Sequence, residues 1–154
     1  IVGSYRGEDG YVRLLREKIG EYGLEKKVVL TGQVPDAQLQ ALYRNADLFL
    51  MLSTNNGKDF EGYGLVYIEA NAHGIPCIGP RDSGVSDAIV DGKTGYLVDQ
   101  YNAPAVANTI DHIFKDQPIH PADCIAWARQ NSNEKKAKIM LEIYRHIITP
   151  HISL

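Results

Sequence analysis

The chain has 154 residues, of which 44% are hydrophobic and 23% are charged, and its formal net charge is −3. This composition is that of an ordinary globular protein, and the length is enough for one domain with a hydrophobic core. The mildly acidic balance excludes nucleic acid as a partner, and no apolar run approaches the roughly 20 residues that span a bilayer.

Apolar and amphipathic segments alternate along the first part of the chain. A strand end at Ile1–Gly3 precedes a helix over Gly10–Tyr22, and a glycine follows that helix as its expected stop. The β-branched run Lys27–Thr31 predicts a buried strand. Asp36 is then the expected N-cap of a helix that reaches Ala46.

The same alternation continues to the end of the chain. It predicts three strands and five helices: strands over Asp47–Leu52, Pro76–Gly79 and Tyr96–Val98, and helices over Val66–Ala72, Ser83–Val90, Pro104–Phe114, Pro121–Gln130 and Asn133–Ile148. Such a pattern is typical of an α/β fold, a Rossmann-like parallel sheet with helices on both faces. Ligands of these sheets bind beyond the carboxyl ends of the strands, and the loop Ser53–Gly64 lies at one of those ends.

The segment Asp59–Gly79, DFEGYGLVYIEANAHGIPCIG, carries two glutamates that we expect to be buried, Glu61 and Glu69. The Gly62–Gly64 run stands at the start of the helix between them. A helix start has free N–H groups and a partial positive charge, which attract phosphate. Glycine lets the backbone approach such a ligand closely. This segment therefore predicts a phosphate site.

The two glutamates suit hydroxyl groups better than phosphate. Glu69 falls about one turn into the helix, where its charge would repel a bound phosphate, so its expected partner is a ribose diol; Glu61 suits a second polyol. Each charge-assisted hydrogen bond of this kind contributes about 1.5–3 kcal/mol. A ligand with the order sugar, diphosphate, ribose matches these groups. The alternative is that both glutamates are solvated and that the glycines only form a turn.

Seven short motifs follow one another along the chain. They are Thr31-Gly32, the L-x-x-L-Y-x-x-A-D run from Leu39 to Asp47, Ser53, E-G-x-G-L from Glu61 to Leu65, Glu69-Ala70, the G-x-P of Gly74 to Pro76, and D-G-x-T-G from Asp91 to Gly95. Together they resemble the C-terminal, donor-binding half of GT-B retaining glycosyltransferases of group 1, the glycosyltransferase family 4-like superfamily. The resemblance covers roughly Ile1 to Phe114.

This resemblance implies roles for the two glutamates and for several of their neighbours. Glu61 is the catalytic-site residue that contacts hydroxyls of the transferred sugar, and Glu69 contacts the nucleotide ribose. The remaining donor contacts, to the diphosphate and through the backbone of the base pocket, fall on Gly62, Tyr63, Gly64, Leu65, Gln33 and Val34. The resemblance implies no cofactor and no metal ion, and the histidines show no metal-binding spacing.

The resemblance also implies a larger context. It predicts that residues 1–154 form a single nucleotide-sugar-binding domain of a longer two-domain enzyme, a hexosyltransferase-like glycosyltransferase whose other partner is an N-terminal GT-B domain. The isolated domain is expected to be inactive. Cys77 and Cys124 lie in apolar segments without disulfide or metal spacing, which favours a cytoplasmic setting. Lysines of the last helix leave membrane association of the full protein open: Lys135, Lys136 and Lys138.

Two departures from the family pattern keep other functions open. The family's loop with an arginine and a lysine, which neutralises the leaving group, has no counterpart in the sequence, and its G-G-x-x-E run is replaced by Ser83–Asp87. A non-catalytic nucleotide-sugar-binding or scaffold module of the same fold is therefore an alternative. A GT-B-like sugar epimerase is a third hypothesis, which E-G-x-G-L and D-G-x-T-G disfavour. Neither the base, the sugar nor the acceptor is specified by these residues.

Overall fold

The structure is a computed structural model that describes residues 1–4, 10–54 and 61–148. Its residues group into two compact units, Ile1–Arg44 and Asn45–Leu154. Each unit has its own helices, and the sheet that carries the candidate site lies in the second unit.

The described residues of the first unit, 1–4 and 10–44, form two helices. Helix α1 spans Gly10–Glu21 and is followed by Gly23 at a φ of 63°, which confirms the predicted glycine stop. Helix α2 spans Asp36–Arg44 and ends two residues earlier than predicted. The carbonyl of Pro35 accepts the first helical hydrogen bonds. Asp36 is therefore the first residue of α2, and its predicted role as the N-cap is wrong.

The strand predicted over Lys27–Thr31 is also wrong. The backbone amides of Lys27 and Val28 donate hydrogen bonds to the carbonyl of Leu24 at 2.8 and 2.9 Å. These two residues therefore continue the turn that follows α1. Val2 and Gly32 form a parallel bridge, an isolated one among the described residues of this unit. The strand predicted at Ile1–Gly3 is reduced to the same bridge. Hydrogen bonds within the local turn take the place of the hydrogen bonds that a sheet would form. A β-branched run by itself does not show which of the two will form.

The second unit is built on a three-stranded parallel sheet in the order β1-β2-β3. The strands are β1 (Phe49–Leu50), β2 (Cys77–Pro80) and β3 (Gly95–Val98). In the central strand, β2, Cys77 pairs with Phe49 of β1 on one side and with Gly95 of β3 on the other. These strands confirm the three predicted for this part of the chain, although β1 is shorter than the run that predicted it.

Helices connect and cover the strands of this sheet. They are α3 (Leu65–Ala72), a 3₁₀ helix (Gly84–Asp87), α4 (Ala103–Asp116), α5 (Pro121–Gln130) and α6 (Asn133–Ile148). The predicted bounds of α5 and α6 are confirmed, whereas the helix predicted over Ser83–Val90 is the shorter 3₁₀ turn. Within the described ranges, no helix combines the length and the apolar character needed to cross a bilayer.

Successive residues of β2 face opposite sides of the sheet. Ile78 is fully buried in a cluster with Val106 and Ile113 of α4. Cys77 faces the other side, where the side-chain amide of Asn71 in α3 donates to its sulfur at 3.3 Å. Helices therefore cover both faces, which confirms the predicted α/β architecture.

The buried side chain of Asn71 holds the end of α3 in place. Its Nδ2 donates to the carbonyl of Ile75 at 2.8 Å and to that of Thr94 at 3.1 Å. Thr94 in turn accepts a hydrogen bond from the Val90 amide at 3.0 Å. This network joins the helix to the D-G-x-T-G turn, so α3 is a rigid support for residues at its start.

Both cysteines are free and buried, and we expect their thiols to be inert in the folded protein. Burial raises the pKa of Cys77, and burial together with Asp123 raises the pKa of Cys124 to about 11. The reactive thiolate is therefore scarce at pH 8. Alkylation by iodoacetamide, followed by mass spectrometry, should be at least about 100-fold slower in native protein than in guanidinium. Rapid labelling of native protein would contradict this prediction.

Candidate functional site

Helix α3 begins with bare backbone. Gly64 is its N-cap at φ 72° and ψ 64°, and no side-chain oxygen caps the helix. A left-handed residue favours glycine, and an uncapped helix start presents N–H groups and positive charge to a ligand. Leu65, the first helical residue, is 63% exposed. This end of α3 is therefore open to an anion.

Close packing beneath Gly64 excludes any larger residue. A Cβ atom at this position would lie 2.7 Å from the ring of Tyr67. Tyr67 is fully buried, its hydroxyl donates to the carbonyl of Met51 at 2.6 Å, and its ring meets Phe49 edge-on with centroids 5.3 Å apart. The first turn of α3 is thus anchored to the carboxyl end of β1.

Glu61 is half-buried and lies near this anchor. The pKa of the Tyr67 hydroxyl is raised first by burial, then by the negative charge of Glu61 and by Cys77. The Glu61 carboxylate is therefore close enough to the Tyr67 hydroxyl to act on it electrostatically. The expectation of a buried Glu61 is met in part.

Glu69 is exposed, so the expectation that it is buried is wrong. Tyr67, Ala70 and Asn71 take the buried positions of α3. Glu69 falls on the opposite face because successive helical residues turn by about 100°. It lies one turn after Leu65, as predicted, on the solvent side of the helix.

A groove of about 460 Å³ runs along this exposed face of α3. Leu65 and Glu69 line it from α3, and Arg129, Asn131 and Ser132 line it from the junction of α5 and α6. It is therefore continuous with the open helix start, and it offers both apolar and hydrogen-bonding groups to a ligand.

The glycine run before α3 rests on the 3₁₀ helix. A Cβ atom on Gly84 would lie 1.5 Å from the carbonyl oxygen of Gly62, so the two backbones are in direct contact. The Ser83 hydroxyl caps the 3₁₀ helix by accepting a hydrogen bond from the Val85 amide at 3.3 Å. The segment Ser83–Asp87, which departs from the family pattern, therefore supports the Glu61–Leu65 loop.

Gln33 and Val34 belong to the first unit. They follow Gly32, which has a φ of 68°, and precede the start of α2. Gln33 is exposed and Val34 is half-buried. Their role in a base pocket stays a prediction, as do the roles assigned to the residues around α3.

Sequence reasoning did not identify the α5–α6 junction as part of the site. Arg129, Asn131 and Ser132 line the groove although they lie more than 60 residues after Glu61. A signal was present, because the run Asn131–Asn133, which leads from α5 into the first residue of α6, is rich in capping residues. In the part of the chain that the structure describes, no group of three or more His, Cys, Asp or Glu side chains is placed to hold a metal ion.

Comparison with known proteins agrees with this geometry. The family model described as glycosyl transferases group 1 matches residues 1–131. A GDP-mannose-dependent alpha-(1-6)-phosphatidylinositol monomannoside mannosyltransferase of Mycolicibacterium smegmatis is 32% identical over 130 residues, which cover 81% of this chain and 34% of the relative. A D-inositol 3-phosphate glycosyltransferase of Corynebacterium glutamicum is 34% identical over 151 residues, which cover 96% of this chain and 35% of the relative. The chain spans about a third of the length of these relatives.

Solved structures give the same result. HepE of Anabaena in complex with UDP superposes with a TM-score of 0.75 at 26% identity, covering 92% of this chain and 40% of that protein. A glycosyltransferase from Rickettsia africae superposes with a TM-score of 0.78 at 25% identity, covering 99% of this chain and 40% of that protein. Sequence motifs, fold and relatives agree: the chain belongs to the glycosyl transferases group 1 family.

Proposed function

We propose that the chain is the nucleotide-sugar-binding domain of a retaining glycosyltransferase. The start of α3 carries this proposal. Its backbone amides follow the left-handed Gly64 and have no side-chain cap; Glu61 precedes them in the chain, and Glu69 lies one turn into the helix. Complexes of HepE with UDP and with UDP-glucose support a nucleotide sugar as the ligand class. The retaining outcome rests on the family resemblance of the E-G-x-G-L motif.

Each part of the site has a proposed task. The amides around Gly64 and Leu65 bind the diphosphate, Glu69 accepts hydrogen bonds from the ribose hydroxyls, and Glu61 accepts them from the sugar. During transfer, the bond from the anomeric carbon to the diphosphate oxygen breaks, and the leaving group keeps the electron pair. The acceptor oxygen bonds to the same face of that carbon, and its proton passes to the departing diphosphate oxygen. The positive end of α3 stabilises the charge that develops on the diphosphate.

The rest of the proposed enzyme lies in polypeptide beyond these residues. Because the chain spans about a third of its relatives, we assign the acceptor site and the further leaving-group contacts to an N-terminal GT-B domain. The single-domain character of residues 1–154, the inactivity of the isolated domain, the cytoplasmic location and the independence from metal stay predictions. Membrane association of the full protein stays an open alternative.

Glu61→Gln is expected to separate sugar binding from nucleotide binding. The neutral amide weakens the hydrogen bonds to sugar hydroxyls, so the affinity for the nucleotide sugar should fall by about tenfold, whereas that for the free nucleoside diphosphate should stay within about twofold. Calorimetric titration with UDP, GDP, ADP and their glucose or mannose conjugates measures both values.

Glu142→Gln is the matched control for Glu61→Gln, because it removes an exposed carboxylate of α6 and should change neither affinity. Equal losses for the free nucleotide and for its sugar would contradict the assignment of Glu61 to the sugar. Absence of binding by every nucleotide to the wild-type chain would contradict the proposed donor site in this chain.

A non-catalytic nucleotide-sugar-binding or scaffold module is the second candidate. The replacement of the family's G-G-x-x-E run by Ser83–Asp87 favours it. Both candidates predict nucleotide binding, but a module predicts no turnover. Release of nucleoside diphosphate from the bound sugar nucleotide by the longer protein that contains this chain distinguishes them, since an enzyme releases it with an acceptor present.

A further inference from the structure

Tyr63 connects the glycine run before α3 to the junction of α5 and α6. It stands between Gly62 and Gly64, and its side chain is half-buried. Its hydroxyl donates to Oδ1 of Asn131 at 2.8 Å, across 68 positions of the sequence. This hydrogen bond joins two segments that both border the candidate site.

Asn131 is itself held in one orientation. Its Nδ2 donates to the carbonyl of Trp127 at 3.0 Å, and its backbone amide donates to the last carbonyls of α5. Trp127 is held in turn, because its indole N–H donates to the carbonyl of Ala88 at 2.8 Å. These hydrogen bonds hold the Asn131 side chain in place, so its Oδ1 atom is a fixed acceptor for the Tyr63 hydroxyl.

Two charged groups, Lys136 and Asp87, act on Tyr63. The Lys136 ammonium lies 5.9 Å from the ring centroid, within the range of a cation–π contact. Burial and the charge of Asp87 raise the pKa of Tyr63, so its hydroxyl keeps the proton that it donates to Asn131.

We propose that Tyr63 is a positioning residue that holds the glycine run in the conformation that binds the donor diphosphate. The inference rests on the proposed function. Two flanking glycines give the run unusual backbone freedom, and a ligand that must order such a run binds more weakly. The Tyr63–Asn131 hydrogen bond orders the run before the ligand arrives, and it keeps Gly64 left-handed with the α3 amides exposed.

The test uses Tyr63→Phe, which removes the hydroxyl and keeps the ring. Binding of the preferred nucleoside diphosphate, measured by calorimetry, should weaken by about fivefold, the effect of one hydrogen bond. Without ligand, NMR order parameters of the Gly62 and Gly64 amides should fall from about 0.85 towards 0.6. Asn131→Ala should weaken binding similarly, and the double variant should be no weaker than the worse single variant.

Tyr101→Phe is the matched control, since Tyr101 is 71% exposed and its hydroxyl should affect neither measurement. Weaker binding by Tyr63→Phe with unchanged order parameters would overturn the proposal, because it would mean that the hydroxyl contacts the ligand directly. Unchanged affinity would overturn it as well. If the wild-type chain bound no nucleotide, the proposed function would fail, while the order parameters would still decide whether Tyr63 orders the run.

Discussion

Replacing Glu69 with alanine is expected to weaken nucleoside diphosphate binding by at least about tenfold. The carboxylate lies one turn inside α3, on the exposed face, where it can accept hydrogen bonds from both hydroxyls of a ribose. Because the side chain is exposed, its loss should change the free energy of unfolding by no more than about 0.5 kcal/mol. Calorimetric titration and thermal unfolding measure the two effects separately.

A 2′-deoxynucleotide makes this test specific to the ribose. The wild-type chain should bind the deoxy form more weakly than the ribose form, and Glu69→Ala should remove that preference. Glu142→Ala, which removes an exposed carboxylate from α6, should keep it. A Glu69→Ala variant that still preferred the ribose form would show that Glu69 is not the ribose contact.

Replacing Gly84 with alanine is expected to have the largest effect on stability. The added methyl carbon would lie 1.5 Å from the carbonyl oxygen of Gly62, and rotation of a side chain cannot relieve a clash between two backbones. The free energy of unfolding should fall by roughly 3 kcal/mol or more, with a Tm lower by about 10 °C. Thermal and urea unfolding monitored by circular dichroism measure both quantities.

The Gly84→Ala variant should also bind nucleotide more weakly, because the contact between Gly84 and Gly62 supports the loop from Glu61 to Leu65. Gly20→Ala is the control, since a methyl group there meets only the flexible carboxylate of Glu25 at 3.8 Å. Gly20 lies in α1, where alanine is the better helix former, so this variant should be as stable as the wild type or slightly more stable. A Gly84→Ala variant of normal stability and affinity would show that the contact has no such role.

The helices could be predicted well because their signals are local. Apolar spacing and flanking residues specify α5 and α6 to the residue, and the glycine after α1 marks its end. The strand predicted over Lys27–Thr31 failed for the converse reason. A strand needs a partner, and in this unit the amides that begin the run bond to the preceding turn instead.

The candidate site likewise has features that local sequence predicts and features that depend on tertiary packing. Glycines before a helix and a glutamate one turn inside it are local features, so the sequence by itself determined the glycine-led start of α3, the spacing of Glu61 and Glu69, and the family. Packing alone decided that Glu69 is exposed, that Gly84 supports Gly62, and that Asn131 accepts the hydrogen bond from Tyr63. Local patterns encode backbone conformation and periodicity. Contacts between segments 20 to 70 residues apart depend on how the helices pack on the sheet, which no short pattern contains.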